Sequence, residues 1–131
     1  MDMEMDPKNS GIQIGGDVIG SKVVVAQDIT NSFNGAMGGI TSEPLKATLD
    51  ELHKQIQDLL KGTDDQNKQQ EIADHAKIVA EQSARETPNK SLLQVSAKGL
   101  IDAANAVKDL AGPILATVTT LLGFFGLVPL P

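Results

Sequence analysis

Apolar positions along this chain follow two different rhythms. From Gly11 to Asn34 they alternate and repeat: a shift of eleven residues carries Ile12 onto Val23, Ile14 onto Val25, Asp17 onto Asp28, Val18 onto Ile29 and Ser21 onto Ser32. Self-similarity at a fixed period predicts stacked rungs that bury their apolar faces on one another. Alternation broken by Gly15-Gly16, with corners at Gly20-Ser21 and Asn31-Ser32, reads as a strand, a tight arch and a second short strand in each rung. Ile12, Ile14, Val18, Val23, Val25, Ile29 and Phe33 are then the side chains that face the inside of the stack. So few apolar groups cannot offset the entropy of ordering the whole segment. The rungs are expected to stack on other copies, to pair with a partner's edge, or to lie against the helices further along the chain.

After the glycine-rich stretch 35–41 the rhythm becomes helical. Ser42, Glu43 and Pro44 open a first helix, with a hydroxyl at the cap and proline in the first turn, and Gly62 ends it. Along it Leu45, Leu49, Leu52, Ile56 and Leu59 are spaced as a heptad seam. Thr63, Asp64 and Asp65 start a second helix whose stripe of Ile72, Ala76 and Val79 is thin, which places it on the outside or in close contact through alanine. Thr87-Pro88 breaks that helix. A third runs from about Asn89 with two seams in register: Leu93, Leu100, Val107, Ile114 and Leu121 on one, Ala97, Ala104, Ala111, Val118 and Phe125 on the other. A kink or restart is expected where it crosses Gly112-Pro113, because proline removes a backbone donor and crowds the preceding turn.

The expected architecture is therefore α+β. Residues 1–10 form a disordered arm, 11–34 a β-arch or two-rung β-solenoid segment for assembly, 35–41 a hinge, 42–111 a helical bundle and 112–131 an apolar C-terminal segment. No charged residue follows Asp109, so this last part is apolar all round. Three surroundings suit it: the core of an oligomer, a bilayer, or the chain's own bundle. The breaks at Gly112-Pro113, Gly123 and Gly126 and the absence of Trp and Tyr weigh against a spanning helix, so the oligomer core is preferred. Leu115, Val118, Leu122, Phe124, Phe125 and Leu127 would make that contact.

Composition narrows the function. With three Phe, no Trp and no Tyr, large aromatic anchors are scarce, and the apolar content is mostly Ala, Val, Ile and Leu. The net charge of −6 comes with no basic stripe and no aromatic platform for bases, which excludes nucleic acid as a partner. There is no cysteine, hence no disulfide or thiolate metal site, and the acidic start MDMEMD lacks the features of a secretory signal. A cytoplasmic protein, associated with membrane only if its C-terminus enters one, is expected.

Candidate chemistry is sparse. Gly15 to Lys22 has the glycines of a phosphate loop, but Ser21 precedes Lys22 and a valine run follows where that loop opens a helix. His53 and His75 lie on different helices without metal-ligand spacing, and Asp64 and Asp65 are explained by their place at a helix start. Asp17 and Asp28 fall at equivalent corners and read as turn caps. No catalytic, cofactor or metal constellation emerges, and an enzyme is not expected.

The segments Gly15 to Ser21, GGDVIGS, and Ala26 to Ser32, AQDITNS, with their flanking Ile and Val, resemble bacterial amyloid signalling motifs, short β-arch sequences that template one another. The resemblance covers about 25 residues at the N-terminus, whereas an effector of this type usually carries its motif elsewhere. It implies a partner with a similar β-arch motif and a membrane-active signalling effector of the cell-death or defence kind. Composition and seams alone favour a self-assembling structural or interaction protein, a homo-oligomer or filament whose first partner is itself.

Overall fold

The computed structural model of the chain describes residues 14–130, with side chains from Lys22 onward. Five helices follow one another: α1 (Ile14–Gly38), α2 (Glu43–Lys61), α3 (Gln66–Ser83), α4 (Lys90–Asn105) and α5 (Lys108–Gly123). Short connections make successive helices antiparallel, as cross-helix contacts show. Gln57 and His53 of α2 meet Ala26 and Thr30 of α1 in reversed order. Around the bundle the helices pack in the cyclic order α1, α3, α4, α5, α2, so that each meets its two neighbours and α2 also touches α3. Ile29, Phe33, Leu49, Leu52, Ile56, Leu59, Ile72, Leu93, Leu100, Ile114, Leu121 and Leu122 fill the centre, all fully buried.

The described region is all-helical, which overturns the expected α+β class and, from Ile14 to Phe33, the β-solenoid rungs and the amyloid-like β-arch motif. No strand occurs among the described residues. The reason lies in the repeat itself. Eleven residues make about three α-helical turns, so a repeat of eleven also aligns side chains on one helix face. Val25, Ile29, Phe33, Ala36 and Ile40, four, four, three and four apart, all point into the core. Two neighbours separate the readings cleanly. A strand puts Val23 and Val25 on one face, but Val23 is 63% exposed and Val25 only 8%. A helix satisfies its own backbone bonds, whereas two lone rungs leave their edges open. Ile12 and the 1–10 arm lie outside the described residues, as do the side chains of Ile14 and Val18.

Elsewhere, local signals and structure can be compared residue by residue. The Ser42 hydroxyl accepts from the Leu45 N–H at 3.3 Å, Pro44 sits in the first turn, and Gly62 closes α2 with its N–H on the carbonyls of Asp58 and Leu59. Asp65, rather than Thr63, caps α3 by accepting from Asn67 and Lys68, while the Thr63 hydroxyl donates to Leu59 O. Ile72, Ala73, Ala76, Val79 and Ala80 bring α3 fully into the core, with the small side chains allowing close approach.

The restart expected at Gly112-Pro113 lies earlier, at Ala106-Val107, where the chain reverses and α4 folds onto α5. A heptad count cannot register that reversal, because Val107 keeps its seam position while serving as the N-cap residue of α5. It packs there against Gly62. Pro113 is inside α5, on its exposed side. After α5, Gly126 with φ 72° ends the helix, with Leu127 N–H on Leu122 O and Gly126 N–H on Gly123 O.

Candidate interaction surface

α5 is built differently from the helices beside it. Its inner face, Ile114, Val118, Leu121 and Leu122, is fully buried against α2 and α4. Its outer face from Gly112 to Gly123 is Gly112, Pro113, Leu115, Ala116, Thr119, Thr120 and Gly123, with no charge. α2, by contrast, turns Glu43, Glu51, Lys54, Asp58 and Lys61 to solvent. The hydroxyls on α5 do little to make its face polar. Thr117 donates to Pro113 O at 3.0 Å, Thr119 to Leu115 O at 2.7 Å and Thr120 to Ala116 O at 3.0 Å, so each hydroxyl proton is already committed to a carbonyl one turn back.

The apolar surface continues past the helix. Leu115 is 44% exposed and Phe124 43%, and the following segment shows Val128 and Leu130. Gln94 of α4 holds that segment by donating from Nε2 to Val128 O at 2.9 Å. Leu92 and Val95, close to Gln94 in sequence, are also exposed. Among the described residues no helix is long and apolar enough to cross a membrane.

A second feature is a cleft of about 370 Å³ between the α2–α3 connection, α3 and α4. Its floor is Ile72, Ala103, Ala106 and Val107, and its walls carry Asp64, Asp65, Lys68, Glu71, His75 and Asp102. Most of these carboxylates already have structural partners. Asp64 lies 3.2 Å from Lys22 Nζ, Asp65 caps α3, and Asp102 lies 3.0 Å from Lys98 Nζ. The Thr63 hydroxyl is turned to Leu59 O, so no nucleophile and base face each other here. Among the described residues, no group of three His, Asp or Glu is placed to hold a metal ion.

A third feature joins α1 to α2. The His53 ring stacks on Phe33 with centroids 5.3 Å apart, and its Nε2 is 3.0 Å from Thr30 Oγ1 and 3.1 Å from Gln57 Nε2. Gln57 Nε2 also donates to Ala26 O and Thr30 Oγ1. Burial holds the His53 pKa below its usual 6.5, against a smaller opposite pull from the Asp50 charge.

The residues singled out from sequence divide accordingly. Val25, Ile29 and Phe33 are buried within the chain's own bundle, and Val23 is exposed. Leu45, Leu49, Leu52, Ile56, Leu59, Leu93, Leu100, Ile114 and Leu121 meet in one core, with Val107 half-buried at its end. Of the apolar C-terminal set, Val118 and Leu122 belong to that core, Phe125 and Leu127 are half-buried, and Leu115 and Phe124 are exposed. Sequence reasoning passed over Thr30, which is remote from His53 in sequence, Gln57, one helical turn after it, and Gly99, whose close approach to His75 only the packing reveals. Comparison with known protein families, curated proteins and solved structures gives no match.

Proposed function

We propose that this chain is a self-associating interaction protein, a homo-oligomer whose copies meet through the outer face of α5 and the segment that follows it. The observation that carries the reading is the charge-free outer face from Gly112 to Gly123, set beside helices that expose charges of both signs. Two chains of net charge −6 repel each other, and they approach at least cost where neither presents a charge. Gly112, Ala116 and Gly123 let a second helix come close, and the threonine hydroxyls need no water once covered.

Size sets the extent of the contact. A helix of sixteen residues is about 24 Å long, too small on one face for the roughly 800 Å² per partner of a stable interface. Phe124, and Val128 and Leu130 of the segment that follows it, extend it. Sedimentation velocity of the full chain at micromolar concentration and physiological salt tests the proposal. Association that Ala116→Glu abolishes supports it, and a monomer at every concentration refutes it.

A second reading is a membrane-active signalling protein in which the same surface meets lipid. The exposed Phe124 and Leu130 beside the charge-free outer face from Gly112 to Gly123 favour it. Co-sedimentation with neutral vesicles separates the two, because self-association needs no lipid.

A further inference from the structure

The polar cluster between α1 and α2 is organised around a single ring nitrogen. An amide nitrogen only donates, so the contact of Gln57 Nε2 with Ala26 O fixes which way that side chain faces. The same NH₂ group then donates to Thr30 Oγ1 at 3.2 Å, and the Thr30 hydroxyl has its own proton left to give. That proton goes to His53 Nε2, 3.0 Å away. The ring is therefore the neutral tautomer with its proton on Nδ1, assigned from this network. Ala26, Thr30 and Phe33 of α1 all reach α2 through Gln57 or His53.

We propose that the Thr30–His53–Gln57 cluster is an acid-sensitive latch: when His53 takes a proton on Nε2, α1 loosens from α2 while the remaining helices keep their packing. The Thr30 hydroxyl can turn and accept a proton on Nε2, but the Gln57 NH₂, 3.1 Å from that nitrogen, can only donate. The ring or the amide must then turn away, and either movement breaks contacts with α1. The charged groups around the ring do not cancel this. Asp50, one turn earlier on α2, is 3.2 Å from Lys54 Nζ. On α1, the element packed against the ring, Asp28 is exposed and Lys22 is engaged with Asp64 and Lys61 O at the far end. α1 is joined to α2 only through Gly39 to Ser42, and its other neighbour is α3, so it loosens on its α2 side. The lowered pKa of His53 agrees with a site that favours the neutral ring.

The test is hydrogen exchange of the full chain, corrected for intrinsic rates, from about pH 7.5 to about pH 5. The α1 amides are expected to lose protection relative to those of α4. His53→Gln, which keeps an acceptor but cannot take a proton, should show no such loss, and His75→Gln should behave as wild type. Parallel loss in α1 and α4, an unchanged α1, or the same loss in His53→Gln overturns the proposal. If His53→Gln does not fold, the NMR titration of the wild-type His53 ring decides: its midpoint should coincide with the loss of α1 protection, and a ring that titrates while α1 stays protected refutes the latch.

Discussion

The imidazole of His75 lies directly on the backbone of Gly99, so that a Cβ built at position 99 would stand inside the ring's contact distance, 2.6 Å from Cε1. Glycine in a helix interior costs about 1 kcal/mol against alanine, and here it makes room for a side chain from α3. Gly99→Ala should therefore gain no stability in the wild-type chain, where it must push the ring into the cleft. In a His75→Ala background the same change should stabilise by about 0.5–1 kcal/mol. Urea unfolding of the four variants gives the coupling, and additive effects would show that ring and glycine do not interact.

The helical register of α1 makes a contrast between an outward and an inward position. Val23→Asp, at a site 63% exposed, should change stability by no more than about 0.5 kcal/mol. Ile29→Ala, at a fully buried site, should cost about 2–5 kcal/mol. Thermal unfolding followed by circular dichroism measures both. Equal, large losses would put Val23 back inside the core.

Stability should depend on the charge of His53. Its pKa in the folded state lies below the usual 6.5, so the unfolded chain binds the proton more readily. The contribution is complete above about pH 6.5 and is lost as pH falls from there toward the folded-state pKa. Urea midpoints of wild type should drop over that window more steeply than those of His53→Gln. Identical slopes would mean that this ring is not the group responsible.

Two kinds of glycine lie at the C-terminal end. Gly126 adopts φ 72°, so Gly126→Ala should destabilise by about 1 kcal/mol even though nothing crowds the site. Gly123 has open space and ordinary helical geometry, and alanine there should stabilise the bundle by about 0.5–1 kcal/mol. If copies approach closely along α5, the same change should weaken association, a separation of effects that sedimentation and thermal unfolding can read side by side.

Much of the fold was legible because most apolar residues announce the face they occupy. Leu45 through Leu59 were spaced for one seam and are buried together, and Ser42, Pro44 and Gly62 marked the ends of α2. The N-terminal segment misled because a period of eleven suits a rung and three helical turns alike, and valine alternation at Val23 and Val25 looks like a strand. Propensity cannot arbitrate when burial against α2 and α3 decides the outcome. The turn at Ala106-Val107 was hidden for a related reason, since the seam runs through it unbroken while Gly112-Pro113 offers the louder local signal. The lack of charge after Asp109 pointed to α5 from the start, but which of its residues face outward required the packing. The His53 cluster depends on side chains 23 and 27 residues apart in sequence, a distance across which no local pattern operates.

The natural absence of cysteine permits the most direct test of self-association through α5. Single-cysteine variants at Ala116, on the outer face of α5, and at Lys54, on the exposed side of α2, are oxidised mildly at micromolar concentration and the covalent dimers counted. Rapid crosslinking at position 116 and little at position 54 is the predicted result. Equal crosslinking at the two positions, or none at 116, would contradict it.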